Sequence, residues 1–341
     1  DKSRKHFNMH GVQRSYPVST ITGDHPMKRS LSVISLCSIL VLFASAIPAF
    51  ASVPANLIPA RATIVGTINV PKVLALPVFA NFYNDIRQAE AQAGFEFASL
   101  GVLPWFAIAH GSKDPAAAAF VRNLPDSVFS RGTQSVHNGT GIYKFGDGDA
   151  SVAAKIDGWV VLGNLSGVKA VIDAKKSGQT LASSGRASAF SELASKSSGL
   201  LTLAYVPTER DLRKLKRDLA QARELTPFVD SFKGAAFGLD HAGQDLVIKL
   251  AALSSADSVA AAANTIRLMK AGYQQQFDAM MNMYAAQMPP MVGQQVRQTW
   301  NSVTIQAEGA ALAITATMPV SLLNILVAQM GAAMSGAEGG N

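Results

Sequence analysis

The 341-residue chain holds one cysteine, Cys37, and it lies inside a segment expected to be removed before the protein works. The rest of the chain has no disulfide, thiol nucleophile or thiolate metal ligand, so packing must hold it together. Histidine is scarce too: past residue 51 only His110, His137 and His241 remain, and none stands in an H-x-x-x-H spacing. Each falls at the end of an expected strand, where three ends meeting in space would make a metal site or a hydrolytic one. Separate loop positions are the simpler reading, and no metal and no cofactor is expected. There is no G-x-x-x-x-G-K-[ST] loop, and Gly139-Thr140-Gly141 precedes a strand, whereas a phosphate cradle precedes a helix. Strong positive charge is absent as well. Lys and Arg number 30 against 23 Asp and Glu, but six basic and two acidic residues precede Ser52, leaving 24 against 21. That balance excludes a nucleic-acid surface, which needs clustered excess cations.

What is present begins with MKRSLSVISLCSILVLFASAIPAFA, Met27 to Ala51. Lys28 and Arg29 form a basic start, Leu31 to Ile47 an apolar core, and Ala49-Phe50-Ala51 a small-x-small cleavage pattern. This predicts a signal peptide cut after Ala51 and a periplasmic or extracellular protein. Residues 1–26 start at Asp1 and lack apolar periodicity; they read as a disordered leader or as a start placed too far upstream. The tail from Ser335 is polar and glycine-rich and reads as disordered.

From Ser52 the chain alternates strands and helices. Ala62 to Val70 is β-branched and strand-like. VFANFYNDIRQAEAQAG then carries Phe79, Phe82, Tyr83, Ile86 and Ala89 on one helical stripe before Gly94. GVLPWFAIAHG is a second apolar run, and DPAAAAFVRNL reads as a short helix with Asp114 as its N-cap and Pro115 in its first turn. GIYKFG, DASVAAKID and GWVVLGN are strands parted by Gly146-Asp147-Gly148 and Asp157-Gly158. A helix capped by Ser166 follows, burying Val168, Val171 and Ile172, and Gly178 closes it; Arg186 to Lys196 is another.

A second cycle opens at Gly199 with the strand GLLTLAYV. The helix TERDLRKLKRDLAQAREL has Thr208 and Asp211 as a capping box and a narrow face of Leu212, Leu215, Leu219 and Ala222. A hairpin turns at Ala242-Gly243-Gln244, and a long helix runs from about Asp257 to Gln287. A last hairpin turns near Gly309, and a terminal helix opens at Pro319. The expected fold is α+β, with antiparallel hairpins covered on one face by helices, in two similar halves, 52–198 and 199–334.

The run GTGIYKFGDGDASVAAKIDGWVVLGNLSGVKAVIDAKKSGQTLASS, with LIPARATIVGTINV near the expected mature start, resembles an uncharacterised family of exported bacterial envelope proteins. The resemblance implies this fold and compartment, and transfers no catalytic residues.

Candidate chemistry is sparse. Ser166-Gly167-Val168-Lys169 matches S-x-x-K, but Lys176-Ser177-Gly178 ends the same helix and cannot form the opposite wall of a cleft, so a helix cap explains Ser166 better. Asp147-Gly148-Asp149 lacks the other ligands of a calcium loop. The span between Glu308 and Glu338 carries no charge, yet Thr315, Thr317 and Pro319 argue for strand plus helix and against a membrane span. The strongest binding signal is methionine. Met280, Met281, Met283, Tyr284, Met288 and Met291 cluster at the end of the long helix, where adaptable side chains suit a lipid-like ligand or a protein partner. The reading is an exported, non-enzymatic envelope protein binding such a partner or ligand; the alternative is an envelope hydrolase whose site is dispersed in sequence.

Overall fold

The computed structural model describes residues 53–108, 115–122, 124–146, 148–218, 223–285 and 288–325. At its centre lies β1 (Ile64–Asn69), whose four middle residues are all buried. β1 pairs antiparallel with β2 (Val102–Ile108) on one side and with β8 (Leu201–Tyr205) on the other. Beyond β2 follow β3 (Ala116–Val121), β7 (Trp159–Gly163), β6 (Val152–Ile156), β5 (Thr140–Lys144) and β4 (Thr133–His137). Beyond β8 follow β9 (Gly234–Ala242), β10 (Asp245–Leu253), β12 (Ala311–Pro319) and β11 (Thr304–Glu308). The result is one 12-stranded antiparallel sheet in an α+β fold.

From the β1–β8 seam both sides read alike: a first strand, a hairpin (β2–β3 or β9–β10), then a second hairpin whose later strand lies inside, β7 before β6 and β12 before β11. The first side adds β4 and β5 at its rim. The match is one of topology.

Helices lie on both faces of the sheet, a correction to the single covered face expected from sequence. On one face Val65, Phe106, Phe120 and Val161 meet α3 (Leu165–Ser177) and α4 (Ala187–Lys196) through Val168, Val171, Ile172, Phe190 and Leu193. Each such fully buried side chain contributes about 1.5–3 kcal/mol as an upper estimate. Alternation sends the next residues of the same strands to the opposite face. There Ile68 and Leu246 meet Val70 of α1 (Val70–Leu74), Leu76, Phe97 and Ala89 of α2 (Tyr83–Ala93). Val121, Ala153 and Val160 meet Phe129. At the far end Ile305 and Leu312 meet Val259 and Ala263 of α7 (Ala256–Tyr284). Partly buried residues clustered with Ile68 and Leu246 include Phe79 and Ile86, but Tyr83 from the same expected stripe is 56% exposed.

The tight hairpin turns use residues that tolerate positive φ. Asn138 and Gly139 take φ of 51° and 84°, and Asp157 and Gly158 take 50° and 76°, the left-handed pair that a two-residue hairpin turn needs. Between β4 and β5 the first of these turns creates a strand the sequence reading did not assign, Thr133–His137.

Two local expectations are overturned. Ala116–Val121, read as helix, is strand β3, and Asp114 lies outside the described residues. Alanine favours helix by only a few tenths of a kcal/mol over its competitors, whereas β3 fills a slot between β2 and β7 and accepts α3 at very short range. A Cβ on Gly163 or Gly167 would fall 2.2 or 2.1 Å from the Ala117 carbonyl oxygen. Neither glycine has an alternative there. The cap of α3 is Asn164, not Ser166: Asn164 Oδ1 accepts from Gly167 N at 2.8 Å and from Ala117 N at 3.2 Å, and its Nδ2 donates to Pro115 O at 2.6 Å. One side chain thus starts the helix and ties it to the strand beneath. Ser166 is left exposed on the helix surface.

Candidate apolar binding site

Between β8 and β9 the chain makes a helical excursion. Its first helix, α5 (Glu209–Asp218), starts at the expected capping box: Thr208 N donates to Asp211 Oδ2 at 3.0 Å and Asp211 N to Thr208 Oγ1 at 3.3 Å. Leu212 and Leu215 face inward, while Arg210, Arg213, Lys214, Lys216 and Arg217 are exposed. Residues 219–222, with Leu219 and Ala222 of the expected face, lie outside the described residues. A short 3₁₀ turn at Arg223–Leu225, where the expected helix ended, leads into α6 (Thr226–Asp230).

The end of α6 is fastened to the start of α7 by hydroxyls. Ser231 Oγ lies 2.7 Å from Ser254 Oγ and 3.2 Å from Ser258 Oγ, and Ser254 Oγ donates to Phe228 O at 2.8 Å. Ser254 and Ser258 are buried, so this mutual bonding offsets the cost of taking them out of water.

α5, α6, α7 and β12 border a half-open apolar pocket of about 230 Å³, lined among the described residues by Leu215, Leu225, Phe228, Val229, Phe232, Ala262, Ile266 and Leu312. No acid, base or nucleophile stands among these side chains, so the pocket provides no proton transfer and no attacking group. It does provide burial, worth about 0.8 kcal/mol per CH₂ group. Its volume falls below the roughly 300–1,000 Å³ of sites for drug-sized molecules, which suits a narrow chain. Near its edge Lys216 pairs with Asp230 at 2.9 Å and Arg213 with Glu209 at 3.8 Å.

The methionines proposed from sequence are placed elsewhere. α7 spans 29 residues, and Met280 lies about 21 Å along it from Ile266 at 1.5 Å per residue. There α7 forms an antiparallel pair with α8 (Pro290–Ser302), a helix the sequence reading left unassigned. Phe277 stacks on Trp300 at 4.8 Å, Trp300 Nε1 donates to Gln274 Oε1 at 2.7 Å, and Arg297 donates to Asp278 and Asn282. Met281 is buried in this pair, where a Cβ on Gly293 would lie 3.9 Å from its Cε, and Met288 is half-buried. Met280, Met283, Tyr284 and Met291 are exposed, Met283 at 70%. One cluster in sequence is thus divided between an interhelix core and a surface.

The histidines do not converge. On the rim strand β4, His137 Nε2 lies 2.7 Å from Oδ1 of Asp173 on α3, to which Asn138 Nδ2 also donates. His241 sits near the end of β9 with its Nε2 buried and without a hydrogen-bond partner among the described residues. Seven strands separate β9 from β4 in the sheet order, more than 30 Å at about 4.8 Å per strand; His110 lies outside the described residues. Ser166 and Lys169 share a helix turn on α3, with Gly178 as its left-handed C-cap. Asp149 pairs with Lys144 at 2.7 Å. Among the described residues no three His, Cys, Asp or Glu groups gather as metal ligands, and no helix is long and apolar enough to cross a membrane.

No signal in the sequence marked the pocket, because its walls come from Leu215 to Leu312, almost 100 positions apart. The nearest hint was the narrow leucine face of α5.

No protein-family model matches the chain, and no curated protein matches it. Among solved structures it is similar to crystal form I of TP0453, with a TM-score of 0.40 and 11% identity over 82% of this chain and 99% of that one. Crystal form IV of the same protein gives a TM-score of 0.39 and 11% identity over 81% and 97%.

Proposed function

We propose that this chain is an exported, non-enzymatic envelope protein that holds one acyl chain of a lipid in the pocket between α5, α6 and α7. The pocket carries the reading. Its described lining residues are all apolar, and none of them would bond a polar headgroup. The headgroup stays outside, where the exposed cations of α5 favour an anionic one. Export is supported by the Met27 to Ala51 pattern and by the resemblance to exported envelope proteins. The strand order repeated across the β1–β8 seam supports an origin by internal duplication.

A second reading rests on a different observation. Exposed Met280, Met283, Tyr284 and Met291 at the tip of the α7–α8 pair form an adaptable surface for a protein partner.

Native mass spectrometry of the protein purified from its own host tests the first reading. The expected species starts at Ser52 and carries a lipid-sized adduct, and Ala262→Leu, which fills the pocket, loses that adduct while staying folded. Bare protein from the host, together with no fluorescence gain on adding 11-(dansylamino)undecanoic acid, would remove the acyl-chain reading.

A further inference from the structure

The two rims of the sheet are finished differently. At β11 two carbonyls at the start of the rim are taken: Arg267 Nε donates to Ile305 O at 2.9 Å and, just before the strand, Lys270 Nζ to Val303 O at 2.6 Å. Two cations from α7 therefore occupy the acceptors that another strand would need, a common guard against edge pairing. At β4 no such guard exists among the described residues. Thr133, Gln134, Ser135 and Val136 are all exposed, Val136 at 70%, and the strand contains no Lys, Arg, Pro or bulge.

The hydrogen-bond phase of that rim follows from its turn. A two-residue turn makes the flanking pair His137 and Thr140 a bonded pair. Alternation then turns Thr133 and Ser135 inward to β5 and leaves the N–H and C=O of Gln134 and Val136 directed outward. No described residue bonds those groups.

We infer that this rim is an interface between two copies of the chain, with β4 pairing antiparallel to β4 of the second copy about a twofold axis through Ser135. In that register Gln134 of each copy exchanges both backbone bonds with Val136 of the other, so every outward group finds a partner. The exposed Val136 is covered in the same step. Ser135 meets its own counterpart as a non-bonded pair, with Cα atoms about 4.5 Å apart. Thr133 to Val136 carry no charged side chain, and His137 falls opposite Thr133 of the other copy, so no like charges oppose one another. Just beyond it, Arg131 of one copy comes level with the Asn138–Gly139 turn of the other, where the Asp173 carboxylate lies. An isologous contact of this kind closes on itself and ends at a dimer.

The chain's single natural cysteine makes the test direct. With Cys37→Ser as background, Ser135→Cys introduces a lone thiol at the axis, where the expected Cα separation lies within disulfide range. Mild oxidation should link that variant into a covalent dimer at least tenfold faster than Thr133→Cys, whose counterpart is several residues away across the axis. Val136→Pro removes an outward N–H that the β4–β5 ladder does not use, and should turn a sedimenting dimer into a monomer without changing the far-ultraviolet circular dichroism. Monomeric wild-type protein at about 100 μM, or equal linking rates for the two thiol variants, overturns the inference. Should Val136→Pro lose its fold, the two linking rates still decide.

Discussion

Replacing Gly167 by alanine tests how closely α3 sits on β3. A methyl group at this position would lie 2.1 Å from Ala117 O, 2.5 Å from Ala117 C and 2.8 Å from Ala117 N. All three atoms are backbone, so no rotamer change makes room. To bring the closest contact past 3.0 Å the 13-residue helix must lift by about 1 Å, which strains the Asn164 bonds and loosens Val168, Val171 and Ile172 against the sheet. Overpacking of this kind costs about 1–3 kcal/mol, and the helical preference for alanine over glycine returns at most about 1 kcal/mol. Because all three contacts are to backbone, the upper end of that cost applies, and the net expectation is a loss of about 2 kcal/mol, seen as a fall in Tm of about 4–8 °C for a chain of this size. Gly272→Ala is the matched control. It stands in mid-α7 with nothing within 4 Å of a new Cβ and should raise stability by up to about 1 kcal/mol. Thermal and urea unfolding followed by circular dichroism read both. If Gly167→Ala proves neutral or stabilising like its control, the close seating of α3 is wrong.

Two further perturbations report on neighbouring features. Asn164→Ala removes the α3 cap and strands the Ala117 N–H and Pro115 C=O; a loss of about 2–3 kcal/mol in urea unfolding is expected, and a change under 0.5 kcal/mol would contradict the tie between helix and strand. Tyr205 has its phenol pushed up to about 12, first by burial and then by the charge and hydrogen bond of Asp211, with Arg186 opposing. Because this lies above the ordinary value near 10, the neutral phenol contributes stability that is complete below pH 10 and lost as the pH rises toward 12. With solvent screening at this partly exposed site the loss is about 1 kcal/mol, and Tyr205→Phe should lack it when unfolding is measured at pH 9 and pH 11.5.

Much of the architecture was legible because its signals are local. The Asp157-Gly158 turn, the Thr208–Asp211 box, the glycine turns at Gly243 and Gly309 and the apolar stripe of α3 each act over a few residues, and each stands where the pattern put it. Ala116–Val121 was misread because four alanines favour helix weakly, and the choice fell to partners more than 40 positions away: Asn164 and the glycines at 163 and 167. The helix Pro290–Ser302 went unassigned because its neighbouring prolines read as a stop, although proline at a first helical position is equally a start. The methionine cluster was visible, but which of its members would be covered was not. Helical spacing separates Met280 from Met281 by about 100°, and only the position of α8 decides that Met281 is inside and Met280 outside.

The order of strands and helices and the positions of most turns were written in the amino-acid pattern, since backbone preference and apolar period act at short range. Tertiary contact alone decided that helices cover both faces, that Arg267 and Lys270 reach one rim strand while no described residue guards the other, and that α5, α6, α7 and β12 border an apolar pocket. A pocket is empty space between distant segments, and no run of residues encodes it until those segments are brought together.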